Sequence, residues 1–269
     1  MSVLRGHAAE PGCRVSFRFA LHAEWTKLRT VAGPAWLLAA LVALTIAVSV
    51  LATAPVTCPP GTACPVDPAK LSLTGIEFGQ AVVAVLAVLV ISAEYSTGMI
   101  RVTLAATPRR TTMLAAKASV LTGMVLAAGV LAVAGSLLAG RLILPGHGFA
   151  LLPLSNLTML RAALGSVLYL GLIALLSLGI ATAVRDSAVA AGIVLALLYL
   201  FPIVANVVGN AQWHRHLERI GPMTAGLAIQ ATTDLRGLPI GPWAGLGVLA
   251  AWAAGALLCG GLLLRWRDA

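Results

Sequence analysis

Apolar residues in this chain fall in long windows, not in short alternating runs. No Asp, Glu, Lys or Arg occurs in 30–66, 118–140, 162–184, 187–214 or 237–264, and Glu77 alone interrupts 71–93. A helix crossing a bilayer needs about 20 apolar residues. One span per window therefore predicts helices near 35–54, 75–93, 118–140, 162–183, 188–208 and 243–264. The windows are continuous in Leu, Ala, Val and Gly and lack the period of two that barrel strands show, so the expected fold is an all-α integral membrane protein. The stretch 142–160 is also uncharged, but Pro145, Gly146, His147, Gly148, Pro153 and Asn156 interrupt it, and it reads as an outer loop.

Composition removes the alternatives. Of 269 residues, 59% are hydrophobic and 10% charged, against about 25% charged in soluble domains. Neither a soluble domain nor a disordered chain has this balance. The net charge of +9 does not point to nucleic acid, because no basic stripe is interleaved with stacking aromatics. It points to positive-inside anchoring. With the N-terminus inside, the inner segments hold twelve cations: Arg5, Arg14, Arg18, Lys27, Arg29, Arg101, Arg109, Arg110, Lys117, Arg185, Arg265 and Arg267. The outer loops hold six: Lys70, Arg141, Arg161, Arg215, Arg219 and Arg236. Both termini are expected in the cytoplasm.

Within 16–30, Phe17, Ala20, Leu21 and Leu28 interleave with Arg18, Lys27 and Arg29, the pattern of an amphipathic helix on the inner leaflet. The chain thus divides into a cytoplasmic N-terminus, 1–33, ending in this helix, and a six-span domain, 34–269. The apolar run after residue 33 starts too late and is too long for a cleavable signal peptide.

Candidate chemistry is sparse. Cys13 and Cys259 read as free thiols, while Cys58 and Cys64 bracket a Pro-Pro-Gly-Thr-Ala turn in the first outer loop, as a disulfide or as two thiols. No Gly-Lys dipeptide exists, so a phosphate-cradling P-loop is absent. His214 and His216 lie two apart, His7, His22 and His147 are isolated, and no nucleophile elbow occurs. No catalytic, cofactor-binding or metal residue is therefore assigned. Glu77 lies about a turn from the outer end of span two, placed to snorkel or to line a path; Gln80, Ser136, Ser166, Ser177 and Asn206 are polar enough to bond across helices.

The segment between spans two and three carries the strongest pattern: Glu94-Tyr95-Ser96-Thr97-Gly98-Met99-Ile100-Arg101-Val102-Thr103-Leu104-Ala105-Ala106-Thr107-Pro108-Arg109-Arg110. Residues 99–106 suit a short helix with Ile100 and Leu104 on one face, and Thr107-Pro108 suits the start of span three. Arg109 and Arg110 then sit where the helix dipole disfavours cations, so lipid phosphate or an acidic protein partner should offset them.

This segment resembles the first cytoplasmic loop of type-two ABC transporter permeases, in which Glu-Tyr-Ser-x-Gly-x-Ile-Arg precedes Pro-Arg-Arg. His22-Ala23-Glu24-Trp25-Thr26-Lys27-Leu28-Arg29 is similar to the family's amphipathic N-terminal segment, 178–202 around Arg185-Asp186-Ser187 to its fourth and fifth spans, and the chain from Pro242 to its sixth span and tail. The Cys58/Cys64 loop departs from the pattern. The resemblance implies a permease subunit of an ATP-driven export system in a bacterial plasma membrane, paired with a second permease copy as a homo- or heterodimer. Two cytoplasmic ATPase subunits would bind the ATP, with no cofactor in this chain. Glu94, Tyr95, Gly98, Ile100, Arg101, Leu104, Pro108, Arg109 and Arg110 would form the ATPase-coupling loop. Residues 210–241 match an outer helical insertion of the family, either a gate or a solvated loop. A non-transporting accessory or sensor subunit is the alternative, and a membrane-embedded enzyme a weaker one. The transported substrate is not written in the spans.

Overall fold

The computed structural model describes residues 17–58, 66–96, 110–149, 151–152, 156–207 and 210–266, with backbone alone at 94–96, 110, 211 and 265. All regular structure in these residues is helical. Six helices are long and apolar enough to cross a membrane, which makes this a multi-pass membrane protein by length and composition. In chain order the helices are α1 (Phe17–Thr30), α2 (Ala32–Thr53), α3 (Pro68–Ser72), α4 (Ile76–Ser96), α5 (Arg110–Ile143), α6 (Leu157–Val184), α7 (Ser187–Val207), α8 (Ala211–Ile220), α9 (Pro222–Leu227) and α10 (Pro242–Trp266). The spans are α2, α4, α5, α6, α7 and α10.

Each expected span is present, and the largest departure is at α5. Its 34 residues extend about 51 Å at 1.5 Å per residue, beyond a hydrocarbon core of about 30 Å. Lys117 and Arg141 closed the uncharged window too early: both lie within the helix. At its far end α5 runs to Ile143 and passes into a 3-10 turn, Leu144–His147. The expected outer loop 142–160 is therefore partly helix and partly core, since Leu144, Phe149 and Leu152 are buried. Gly148 adopts φ +85°, and a Cβ there would lie 2.5 Å from the Cys58 carbonyl oxygen. Cys58 N–H donates to the His147 carbonyl at 2.9 Å, joining the two far-face loops. Cys58 is disulfide-bonded; Cys64, its expected partner, lies outside the described residues.

The fourth span, α6, is the centre of the bundle, packed against α4, α5, α7 and α10. Lipid is as apolar as the side chains, so helices associate through close packing of small residues rather than through expulsion of water. The α6–α10 crossing shows this: a Cβ on Gly179 would lie 2.5 Å from the Ala256 carbonyl carbon, and one on Gly260 would lie 2.6 Å from the Gly179 oxygen. The turn into α7 takes two residues. Arg185 enters the left-handed region at φ 66°, and the Asp186 carboxylate accepts from Val189 N–H at 2.8 Å, starting the next helix without a loop.

On the far face, Asp67 caps α3 by accepting from Ala69 N–H at 3.0 Å and reaches across to the segment before α10. It accepts from the Thr232 hydroxyl at 2.7 Å, from Thr233 N–H at 3.0 Å and from Thr232 N–H. Burial pushes its carboxyl up, but the hydrogen bonds from Thr232, Thr233 and Lys70 hold it below its ordinary value of 3.8. Asp67→Ala removes a cap and a tie between two loops, and is expected to cost about 2 kcal/mol and to speed protease cutting within 232–241. Because the native carboxyl is depressed, its contribution is complete above pH 3.8 and is lost as the pH falls through the depressed value. A pH series of thermal unfolding should show the wild type and the variant converging in acid.

Candidate functional site

Two polar assemblies interrupt the apolar bundle. The first lies where α1 meets the start of α5. Lys117 stands seven residues after Arg110, about 10 Å along α5, and its side chain is only 2% exposed. An ammonium buried at that depth needs a counter-charge, and α1 supplies it: Glu24 Oε2 lies 2.7 Å from Lys117 Nζ. The other Glu24 oxygen pairs with Lys27 Nζ at 3.0 Å. Burial raises the Glu24 carboxyl, but the Lys117 and Lys27 ammonium groups outweigh it and hold it below 4.5. Ala20, Glu24 and Leu28 recur every four residues and form the buried face of α1. The helix is thus fixed to span three by packing and by charge.

Beside this pair lies a cavity of about 520 Å³ between α1, α2 and α4, walled by Leu28, Leu37, Leu86, Leu89 and Val90, with Glu24, Lys27 and Lys117 also among its lining residues. The site residues read from the sequence stand close by in the chain. Glu94 and Tyr95 belong to the last turn of α4, and Arg110 opens α5. Gly98, Ile100, Arg101, Leu104, Pro108 and Arg109 lie outside the described residues, as does the short helix expected over 99–106. In the sequence Lys117 is one inner cation among twelve and Glu24 one residue of the N-terminal motif. The available signal was that Glu24 is the only acid among the residues of α1.

The second assembly holds the far-face insertion. Residues 210–241 are only in part a solvated loop: α8 lies toward the surface and 232–241 is a largely exposed loop, while in α9 and the following turn Pro222, Met223, Gly226, Leu227, Ile229 and Gln230 are buried. Met223 Sδ accepts from Gln80 Nε2 at 3.1 Å, and the Gln80 carbonyl accepts from the Tyr169 hydroxyl. Gln80 and Tyr169 are fully buried. The Tyr199 hydroxyl donates to the Glu77 carbonyl at 2.5 Å. Glu77 itself is half-buried in the first turn of α4. Span two thus ties both to the insertion and to spans four and five. Of the other polar residues expected to bond across helices, Ser177 donates within its own helix to Ile173 at 2.7 Å. The hydroxyls of Ser136 and Ser166 have no hydrogen-bond partner, and Asn206 is exposed.

Among the described residues no group of three His, Cys, Asp or Glu side chains is placed to hold a metal ion. His214 is held by the Ala205 carbonyl at 2.7 Å and lies 3.4 Å from Glu218, while His216 packs edge-on against Trp213. Cys259 is an exposed free thiol. No family model and no curated protein matches the chain.

Proposed function

We infer that this chain is the membrane permease subunit of an ATP-driven exporter, with both termini in the cytoplasm and the energy supplied by a separate ATPase. The observation that supports the reading is where the two ends of the 94–110 segment stand, 94–96 closing α4 and Arg110 opening α5. The segment joins α4 to α5 in the chain, and seven residues into α5 Lys117 is paired with Glu24 of α1. A push on that segment would reach two spans and the N-terminal helix together. The six-span bundle and the absence of a P-loop support the same reading. In it, Glu94, Tyr95, Gly98, Ile100, Arg101, Leu104, Pro108, Arg109 and Arg110 contact the ATPase, which binds the ATP, and a second permease copy completes the path.

The test is retention of ATPase by the full chain purified from its native membrane in mild detergent. Arg101→Ala should lower retention about fivefold, the worth of one exposed charge pair at about 1 kcal/mol. The deficit should shrink as salt lowers the wild type too. Equal retention at every salt concentration removes Arg101 from the interface.

A further inference from the structure

We propose that α8 is a docking face for the headgroups of anionic phospholipids in the leaflet at the far face. Gln212, Arg215, His216 and Arg219 stand at i, i+3, i+4 and i+7, so they share one side of the helix. All four are exposed. Together with Trp213 they line an open depression of about 490 Å³, far more than the roughly 30 Å³ of a water molecule. The lining thus brings together two guanidinium groups, an imidazole and an amide, and it contains no acid.

These cations are not consumed by the fold. Among the described residues Arg215 makes no hydrogen bond or ion pair, and His216 makes only its edge-on contact with the Trp213 ring. Arg219 donates through Nε to the Pro239 carbonyl at 2.7 Å, a neutral acceptor that leaves the guanidinium charge uncompensated. Glu218, the only acid among the residues of α8, is not part of the depression and lies 3.4 Å from His214. Planar forks of N–H donors beside an imidazole match the oxygens of a phosphate.

Position makes that phosphate a lipid's. The Ala205 carbonyl, near the end of α7, holds His214 at 2.7 Å, and Trp252 Nε1 of α10 donates to the Ile220 carbonyl at 2.9 Å. The helix is therefore fixed against two spans. Ile220, 48% exposed, lines an apolar groove with Leu197, Val248 and Trp252. Trp213, seven residues earlier and on the same edge of α8, is 62% exposed, and Trp243 in the first turn of α10 is 59% exposed, the aromatic signature of a headgroup boundary. An apolar edge beside a cationic face is the arrangement of an interfacial helix, and lipid phosphate is the anion that a membrane presents at that level.

The test is amide hydrogen exchange of 211–220 in the full chain, held in nanodiscs of phosphatidylcholine alone or in equal parts with phosphatidylglycerol of identical acyl chains. In wild type the anionic lipid should slow exchange about 25-fold, the effect of two arginines each worth about 1 kcal/mol at an anionic surface. Arg215→Gln should cut that ratio about fivefold, and adding His216→Gln should cut it further. Neither substitution removes a hydrogen bond or ion pair of the fold, so exchange in phosphatidylcholine should stay as in wild type. Arg29→Gln, an exposed cation of α1 at the opposite end of the spans, should leave the ratio unchanged. Inorganic phosphate added to phosphatidylcholine discs should not reproduce the slowing. Equal exchange in the two lipids, a lipid effect that survives the double variant, or slowing by inorganic phosphate alone would each overturn the proposal.

Discussion

Replacing Lys117 by Met is expected to destabilise the folded chain by about 3 kcal/mol, because it strands a buried carboxylate. Lys117 is 2% and Glu24 5% exposed at the side chain, so water cannot take the place of the lost partner. Lys27 still reaches Glu24, which keeps the loss at the low end for a broken buried pair. Glu24→Gln with Lys117→Met should recover part of it, since neither charge is then buried alone; a double-mutant cycle in detergent should give a coupling of about 1–3 kcal/mol. The pH dependence is a second readout. In wild type the Glu24 carboxyl is held below 4.5, so its contribution is present above that value and is lost as the pH falls through the depressed one. In Lys117→Met burial acts against a single, half-exposed ammonium, and the acid loss should begin at higher pH. Additive single losses and an unshifted acid limb would show that the pair does not hold α1 to span three.

The second large effect is expected from Gly245→Ala in α10. A Cβ there would lie 2.0 Å from the Ala225 carbonyl oxygen, a backbone atom of α9 that no rotamer change can move. Overpacking of this kind costs about 3 kcal/mol, at the upper end for an added methyl, because a helix must shift. The shift would lift α9 from its seat, where Gly226 already meets the Tyr169 ring at 2.6 Å from its Cβ position, and would loosen the Gln80–Met223 contact. Gly247→Ala and Gly255→Ala in the same helix meet nothing within 4 Å and should be neutral or stabilising by about 0.5–1 kcal/mol through helix propensity. Thermal unfolding of the three variants separates close approach from propensity. Three equal effects would mean that α9 is not seated against α10.

The spans were legible because their signal is local: twenty apolar residues without charge mark a helix whatever it packs against. The extra turns of α5 were not, because Lys117 reads as a boundary until Glu24, 93 residues away in sequence, neutralises it. The buried insertion was hidden for a different reason. Pro222–Leu227 is six residues long, too short for hydropathy to register, and its burial depends on glycines at 165, 226 and 245 that provide room without any periodic pattern. Tyr169 belonged to an apolar window and its partner Gln80 carried no sign of direction. The 94–110 motif, by contrast, was visible as a run of residues and not as geometry, since its centre lies outside the described residues. What the fold adds is its surroundings: α4 on one side, α5 on the other, and α1 fixed two turns into α5.

Residues 94–110 are proposed to transmit energy from a separate ATPase to the spans. ATP hydrolysis by the full chain purified from its native membrane, compared with a variant whose 99–106 is replaced by a Gly-Ser repeat, tests it most directly. The wild-type preparation should hydrolyse ATP through a co-purifying subunit, and the variant should fall to background while its thermal unfolding is unchanged. Hydrolysis that persists undiminished in the variant, or a wild-type preparation that hydrolyses none, would contradict it.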